Sequence, residues 1–476
     1  MTILPGQVEL AALPMPPAFP VPPALSILDS PARPPVAENG QTRERDGFFS
    51  PPRDAARFQC IGPACEDSCC KAWDVRLDRA TYEHYRLIPV ESLLGRVVKS
   101  SVVQMPEPRS ESAYARILLN EALECPFLTS EKWCGIQQQF GEEALSRTCR
   151  TYPRIEQKTP EGRTETTLHL SCPEAARLIL LDEGAERKHP EEADYEAVAE
   201  WSSSRMATAH QDERTEMILG ATRGFLRLLL RDRRYSLGER MLLMGLFAGR
   251  LREVLSVDQA ETGFPVLLRE FCLLVGKGTL RPALACVAGQ PVLQLDLTLG
   301  LVNQRLERVM NSMRFLDDVK QFLDGIGYRP GRTHESLAPA LQQAENEFFA
   351  PWMEAHPWFL ENYLVHGVER SLFPFGKEAG RTDPEAQFQI ICTHFVVIRT
   401  LLTGISRTRG ASFSTEHGVH LVQAYSRMMD HHAEFLEASS SMLARAHRTD
   451  AGSLAELLLE GVRGRRQSSA GAGAMA

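Results

Sequence analysis

The sequence predicts a mainly α protein, in which a small cysteine-rich metal-binding α/β unit is followed by a large α-helical domain. Three observations predict it. Eight of the eleven cysteines lie between Cys60 and Cys172. The periodic elements around those cysteines are short and mixed. From about Asp194 onward, apolar residues recur at spacings of three and four, the period of a helix with one buried face.

The elements follow in order. Residues 1–52 hold Pro14, Pro16, Pro17, Pro20, Pro22 and Pro23 close together. Such a segment buries too little apolar surface to offset its ordering entropy, so a disordered Pro-rich leader is expected. Residues 57–183 form the expected cysteine-rich unit. Val75 and Leu77 alternate with polar neighbours, as in a short strand. Asp78 is placed to cap a helix through Thr81, Tyr82 and Tyr85. Tyr114–Leu119 reads as a further strand. Gly141–Arg150 reads as a helix stopping before Pro153. Ser171-Cys172-Pro173-Glu174 has the pattern of a capping box opening a helix through Leu178 and Leu181. Residues 190–460 form the expected helical domain. Leu243, Phe247, Leu251 and Val254 share one face, and similar patterns cover Leu301–Phe322, Ala338–Arg370, Glu385–Thr403 and Glu416–Leu443. Gly and Pro punctuate these stretches. Residues 464–476 are rich in Gly, Ser and Ala and are expected to be disordered. No internal repeat of fixed period is visible.

Bulk properties narrow the function. The 476 residues are 43% hydrophobic and 24% charged, ordinary for a soluble protein, and suffice for two or three packed units. The formal charge of −8 argues against a nucleic-acid partner, which calls for a basic excess. Residues 1–24 lack the basic start and unbroken apolar stretch of a signal peptide. The longest strongly apolar stretch, Met241–Gly249, falls far short of the roughly 20 residues a membrane span needs. The sequence thus reads as cytoplasmic, with no membrane partner. In a reducing compartment its cysteines are expected as metal ligands or thiols rather than disulfides.

The chemistry-bearing feature is the thiol set Cys60, Cys65, Cys69, Cys70, Cys125, Cys134, Cys149 and Cys172. Thiolate is the preferred ligand of soft metals and iron–sulfur clusters. Paired C-x2-C knuckles of structural zinc sites are absent. The irregular spacings suit a [4Fe–4S] cluster held from separate segments, with zinc or mononuclear iron as the alternative. Cys65-x3-Cys69 runs directly into Cys70, departing from the C-x3-C-x2-C pattern of radical enzymes that use S-adenosylmethionine. Eight thiols exceed one four-coordinate centre, and adjacent Cys69 and Cys70 are hard to place on one metal. Which four ligate is left open. Cys149 is expected near a helix C-terminus, and Cys172 at a helix N-terminus that favours its thiolate.

Taken together, several motifs resemble one family. They are Phe58-Gln59-Cys60-Ile61-Gly62, Cys65-Glu66-Asp67-Ser68-Cys69-Cys70-Lys71-Ala72-Trp73, Cys125-Pro126-Phe127-Leu128, Cys134-Gly135-Ile136, Gly141–Ser146, Thr148–Arg154 and Leu170–Arg177. In the helical part, Leu360–Leu364 and Leu372–Phe375 join them. The set is similar to the flagellin lysine-N-methylase family, which overlaps a group of zinc- or iron-chelating cysteine-cluster proteins. The resemblance implies methyl transfer from S-adenosylmethionine to lysine ε-amines on flagellin, and an iron–sulfur centre. The alternative is a chelating or electron-transfer module without methylase activity.

Catalytic residues are not legible in the sequence. Arg150, Tyr152 and Arg154, beside Cys149, are candidates for orienting a carboxylate or the lysine, and a solvated helix end reads them equally well. Tyr363 is a candidate for an interdomain cleft, against core packing. Trp73 is placed to cover a metal. His431-His432 and His417-x2-His420 read as exposed helix residues, and Cys272, Cys286 and Cys392 as core. No strand leads into a G-x-G-x-x-G turn, so no nucleotide-binding Rossmann unit is expected. Gly325-Ile326-Gly327 reads as a helix C-cap.

Overall fold

A computed structural model describes residues 54–460 apart from 108–109, 185–189, 209, 211–212, 257–259, 309–311, 377–382, 431–438 and 445–449. The leader expected over 1–52, the tail expected over 464–476 and the His431-His432 pair lie outside the described residues.

The chain is mainly α, as expected, with small antiparallel sheets near its start. Strands β1 (Arg76–Leu77), β2 (Val102–Gln104) and β3 (Ala115–Ile117) form one sheet in the order β1-β3-β2, with Arg116 opposite both Arg76 and Val103. Helices α1 (Arg79–Arg86) and α2 (Leu93–Ser101) flank it. Asp78 caps α1 as its sequence implied, its Oδ1 accepting from the Thr81 amide at 2.8 Å. Val75, Leu77, Tyr82, Tyr85, Ala115, Ile117, Phe127 and Ile136 enclose a small core of their own.

The next segment departs from expectation. The helix predicted over Gly141–Arg150 is instead a short turn, Glu142–Ala144, followed by a separate helix α4 (Arg147–Thr151); α3 (Gly135–Phe140) precedes both. Ser146 is the reason. Its Oγ accepts from the Cys149 amide, so it starts a new helix where the pattern suggested continuity. Cys149 is therefore the middle residue of a five-residue helix, near its C-terminus as expected and also in its first turn. A hairpin follows, β4 (Arg154–Lys158) with β5 (Thr164–Leu168). The Ser171 capping box does not form. Cys172 is the N-cap of α5 (Pro173–Leu180), and the Ser171 hydroxyl bonds Tyr152 instead.

The helical body contains α6 (Glu192–Thr208), α7 (Arg214–Leu229), α8 (Leu237–Leu255), α9 (Ala260–Gly276), α10 (Pro291–Arg308), α11 (Met313–Gly325), α12 (His334–Ala344), α13 (Trp358–Arg370), α14 (Pro384–Arg409), α15 (Thr415–Met429) and α16 (Ala451–Leu458). After α12 the chain passes through a π-helical stretch, Glu345–Phe349, into Ala350–Ala355. Leu243, Phe247 and Leu251 are fully buried, as their spacing implied. Around them lies a large core that also takes in Phe58, Leu168, Leu170, Cys172 and Ile179. The cysteine-rich stretch is thus shared between two cores.

Helix α14 runs through the middle. The segment Pro384–Ser412 is long and apolar enough to cross a membrane by length and composition, a feature that Met241–Gly249 did not anticipate. Its apolar window is 94% buried inside the protein, so it serves as a core helix. It packs closely on α11. A Cβ on Gly325 would stand 1.9 Å from the Gly404 carbonyl oxygen, so only glycine permits that approach. Ile326 is the C-cap of α11 and Gly327 follows it at φ +66°, so Gly325-Ile326-Gly327 ends the helix as predicted.

Candidate metal centre

The eight thiols are all free of disulfides. Local structure sets each one. Gly62-Pro63-Ala64 forms a tight turn, from which the Gly62 amide donates to Cys60 Sγ at 3.4 Å. Gly62 has φ +55°, and a Cβ there would meet the Trp133 ring at 2.8 Å. The indole beside Cys134 therefore lies over the Cys60 turn. The Cys125 amide donates to the Cys70 carbonyl at 2.7 Å, and the Gly135 amide to that of Phe127 at 2.7 Å. These two bonds draw Cys70, Cys125 and Cys134 together against the small core.

Electrostatic neighbours divide the thiols into two groups. Cys70 disfavours the thiolates of Cys125, Cys134 and Cys149, and Cys134 acts likewise on Cys125 and Cys149. Burial is the largest cause in each case, pushing Cys125 up to about 12 and Cys149 to about 11. Cys60 and Cys65 act on Cys172 and Cys60 on Cys65, while Cys69 feels both Cys149 and, less strongly, Cys60, so the two groups touch at Cys69. Cys172 is raised to about 11: burial outweighs the Ala175 and Glu174 amides, which favour its thiolate. The helix terminus thus favours the Cys172 thiolate as expected, but burial is the larger effect. Cys69 and Cys149 are exposed as whole residues, yet their sulfurs sit among other groups and still lose hydration. Cys69 and Cys70 share a thiol hydrogen bond that holds Cys69 protonated and favours the Cys70 thiolate, helped by Ser68 and Arg427. The adjacent pair joins a Cys60, Cys65, Cys69, Cys172 group to a Cys70, Cys125, Cys134, Cys149 group.

Among the described residues, no three His, Cys, Asp or Glu side chains stand in a metal-holding arrangement. The donor set nonetheless matches a soft metal in kind and number. Within each group neighbouring thiols disfavour the thiolates of Cys65, Cys69 and Cys172, and of Cys125, Cys134 and Cys149, a repulsion that a bound cation would relieve. A cysteine sulfur moves on χ1 alone, so closing such a set asks for rotamer changes rather than a new backbone.

The loop bearing these thiols is clamped to the helical body. The Asp67 carboxylate accepts from Arg427 Nη1 at 2.9 Å and from Gln423 Nε2 at 2.8 Å, both on α15. Gln423 also donates to the Ser171 carbonyl at 2.9 Å, and Arg427 to the carbonyls of Asp67, Ser68 and Lys71. Arg177 on α5 pairs with Glu66. Gln423 and Arg427 were not singled out in the sequence, since Asp67 and Gln423 lie 356 positions apart.

The other candidates separate clearly. Arg150 pairs at the surface with Glu143 at 3.1 Å. Arg154 donates to the Phe58 carbonyl and lies over that ring, a packing role. Tyr152 bonds Ser171 through its hydroxyl and meets Trp73 edge-on at 4.4 Å, so both aromatics border the thiols. Burial, with Cys172 and Cys69 nearby, raises the Tyr152 phenol well above its ordinary range. Tyr363 is partly buried against the large core. Cys272 and Cys392 are buried as expected, whereas Cys286 is exposed, following the one-turn helix Arg281–Leu284. His417 and His420 are half-buried rather than exposed. His417 caps α15 with Ser414, and His420 pairs with Asp318 of α11.

Comparisons with known proteins bear on this arrangement. Residues 223–457 match the family described as the FliB lysine N-methylase C-terminal domain. The chain is 33% identical over 135 residues to the flagellar biosynthetic protein FliU of Salmonella muenchen, a match covering 28% of this chain and 78% of that protein. It is 33% identical over 135 residues to the lysine-N-methylase of Salmonella typhimurium, covering 28% of this chain and 33% of that enzyme. The lysine-N-methylase of Salmonella choleraesuis matches to the same extent. The match thus spans a third of the length of these lysine-N-methylases. No solved structure matches.

Proposed function

The chain belongs to the FliB lysine N-methylase family, and on that premise we propose that it is a protein-lysine N-methyltransferase. It transfers methyl groups from S-adenosylmethionine to lysine ε-amines of flagellin, in the cytoplasm, with an iron–sulfur cluster held by its thiols. The match of residues 223–457 to a lysine N-methylase domain carries the reading. The flagellar description of FliU supports flagellin as the substrate.

The residues that would hold a cluster are Cys60, Cys65, Cys69 and Cys172, or Cys70, Cys125, Cys134 and Cys149, the two groups of neighbouring thiols. If only three thiols of a group ligated the cluster, its remaining iron would be open and would supply a site for the amino-carboxylate of the methyl donor. The described strands form only small antiparallel sheets. The donor site is accordingly sought at the thiols rather than at the end of a parallel sheet. Trp73 and Tyr152 border the thiols and present aromatic faces suited to a sulfonium cation. The Asp67 clamp fixes the Cys65–Cys70 loop against α15, where the helical domain would present the lysine.

The test is direct. The protein is purified anaerobically, its absorbance and iron content are recorded, and it is incubated with methyl-labelled S-adenosylmethionine and flagellin. Label on flagellin lysines and cluster absorbance are the expected results. Absorbance without label transfer defeats the methylase reading, and a colourless zinc protein defeats the iron–sulfur assignment.

A further inference from the structure

Helices α11 and α15 meet beside the Asp67 clamp, and a histidine–carboxylate pair joins them there. His420 Nδ1 lies 3.0 Å and 3.1 Å from the two Asp318 oxygens. The Asp318 side chain is 5% exposed and that of His420 is 31% exposed. A buried carboxylate on Nδ1 fixes ring orientation and tautomer, leaving Nε2 as the acceptor. Among the described residues, Nε2 meets no hydrogen-bond partner. Burial raises the Asp318 carboxyl, while the His420 contact pulls it back.

The pair is also well placed. Arg314, one turn before Asp318, reaches Asp67 at 4.0 Å. Gln423 and Arg427, three and seven residues beyond His420, hold the same carboxylate. Such spacings fall on neighbouring turns of one helix face. The pair therefore stands on the order of 10 Å, about two helical turns, from the loop bearing Cys65, Cys69 and Cys70. It lies within the 223–457 segment that matches the methylase domain.

We propose that His420 is the base that deprotonates the substrate lysine, with Asp318 as its positioning residue. The proposal rests on the methylase reading above. A lysine ammonium has a reference pKa near 10.4 and no free electron pair, so a proton must leave before methyl transfer. His420 Nε2 takes that proton from Nζ. The freed pair forms the N–CH3 bond, and the S–CH3 bond breaks with its electrons going to sulfur. The sulfonium becomes a neutral thioether, and the imidazolium returns its proton to solvent. Other charged groups act at the pair's edge: Arg314 and Asp317 from α11, His417 and Glu416 from α15, Arg409 from α14 on His417, and Arg177 from α5 on Glu416.

The competing role is a clasp that only joins α11 to α15. The full chain and its H420A, H420Q and D318N variants distinguish the two. Single-turnover methyl transfer to flagellin is measured from pH 6 to 10, with iron content and thermal unfolding alongside. Glutamine retains a hydrogen bond to Asp318 and loses the base. H420A and H420Q are expected to be slower by about 100-fold or more near pH 7. Their deficit shrinks as pH approaches that of free lysine deprotonation. D318N falls between and shifts the acidic limb, and iron content stays unchanged throughout. Variants within threefold of wild type at every pH overturn the proposal. So does a deficit independent of pH that H420Q rescues, which assigns the pair as a clasp. Wild type that transfers no label defeats the methylase reading instead, and the variants are not needed to see it.

Discussion

Replacing Arg427 by alanine removes the strongest tie between the thiol-bearing loop and the helical body. Its guanidinium donates to Asp67 Oδ1 at 2.9 Å and to the carbonyls of Asp67 and Ser68 at 3.3 Å each. Both charged side chains are mostly buried, 13% and 14% exposed, so salt screens them little. A hydrogen bond between charged groups contributes roughly 1.5–3 kcal/mol, and the long carbonyl contacts add less. Asp67 does not become an unpaired buried charge in the variant, because Gln423 still donates at 2.8 Å. The cost therefore stays below the roughly 3–5 kcal/mol of breaking a fully buried pair. R427A is expected to lose about 2–3 kcal/mol and D67N about 1–2 kcal/mol, with a coupling near 1.5 kcal/mol in the double variant. Urea unfolding of the four proteins measures it. Costs that add within about 0.5 kcal/mol would show that the pair carries no coupling and that the loop is held by something else. A second readout is alkylation of Cys69 and Cys70, which should accelerate in R427A if the clamp holds the loop down.

Three further outcomes follow from the same structure. If each thiol group holds its own centre, C125S and C172S each lose about half of the bound iron, whereas loss of all iron in one variant and none in the other marks a single site. Stability should fall on acidification. His394 and His366 are buried, which lowers them to about 4 and about 3, with Arg370 contributing to both. The unfolded chain takes up their protons below the reference value near 6.5 while the native state does not, so stability present above that value is lost as pH falls toward 4. Each contributes about 2 kcal/mol of loss by pH 5, and the raised acids Asp318 and Glu385 work in the opposite sense. Urea unfolding at pH 7 and pH 5 measures the balance, and a smaller difference in H394N assigns its share. Finally, a brief thiol-labelling pulse on the native chain should modify Cys286 and spare Cys272 and Cys392, which mass spectrometry of the fragments would reveal.

What the sequence disclosed depended on range. Leu243, Phe247 and Leu251 declared a buried helix face, because a period needs only neighbours along the chain. Asp78 declared its cap for the same reason. Ser146 misled, since a mid-pattern serine can sit silently in a helix or start a new one, and only the carbonyls available around it decide. Cys286 misled because its apolar neighbours belong to a one-turn helix at the surface. Asp67 with Gln423, and Asp318 with His420, were out of reach altogether. Each is a pair of ordinary surface-type residues far apart in sequence, made functional candidates only by helix packing. The thiols were visible as a group. Their division was not, because it depends on which backbone hydrogen bonds draw Cys125 and Cys134 to Cys70.

That division bears on why the thiols and the helical domain occur in one chain. Cys70, Cys125 and Cys134 pack on a small core that the β1–β3 sheet and α1 complete locally. Cys172 belongs to the large core, and Gln423 and Arg427 tie the Cys65–Cys70 loop to α15. A centre drawing on Cys60, Cys65, Cys69 and Cys172 would therefore join the Cys60–Cys70 loop to the large core, and binding it would stabilise that contact by linkage. A centre drawing only on Cys70, Cys125, Cys134 and Cys149 would stabilise the small core and leave the contact nearly unchanged. Chelating the metal should then loosen the Asp67 clamp in the first case alone. Faster hydrogen exchange confined to 76–145 would place the metal in the small core, and faster exchange reaching α15 would place it at the contact, next to Asp318 and His420.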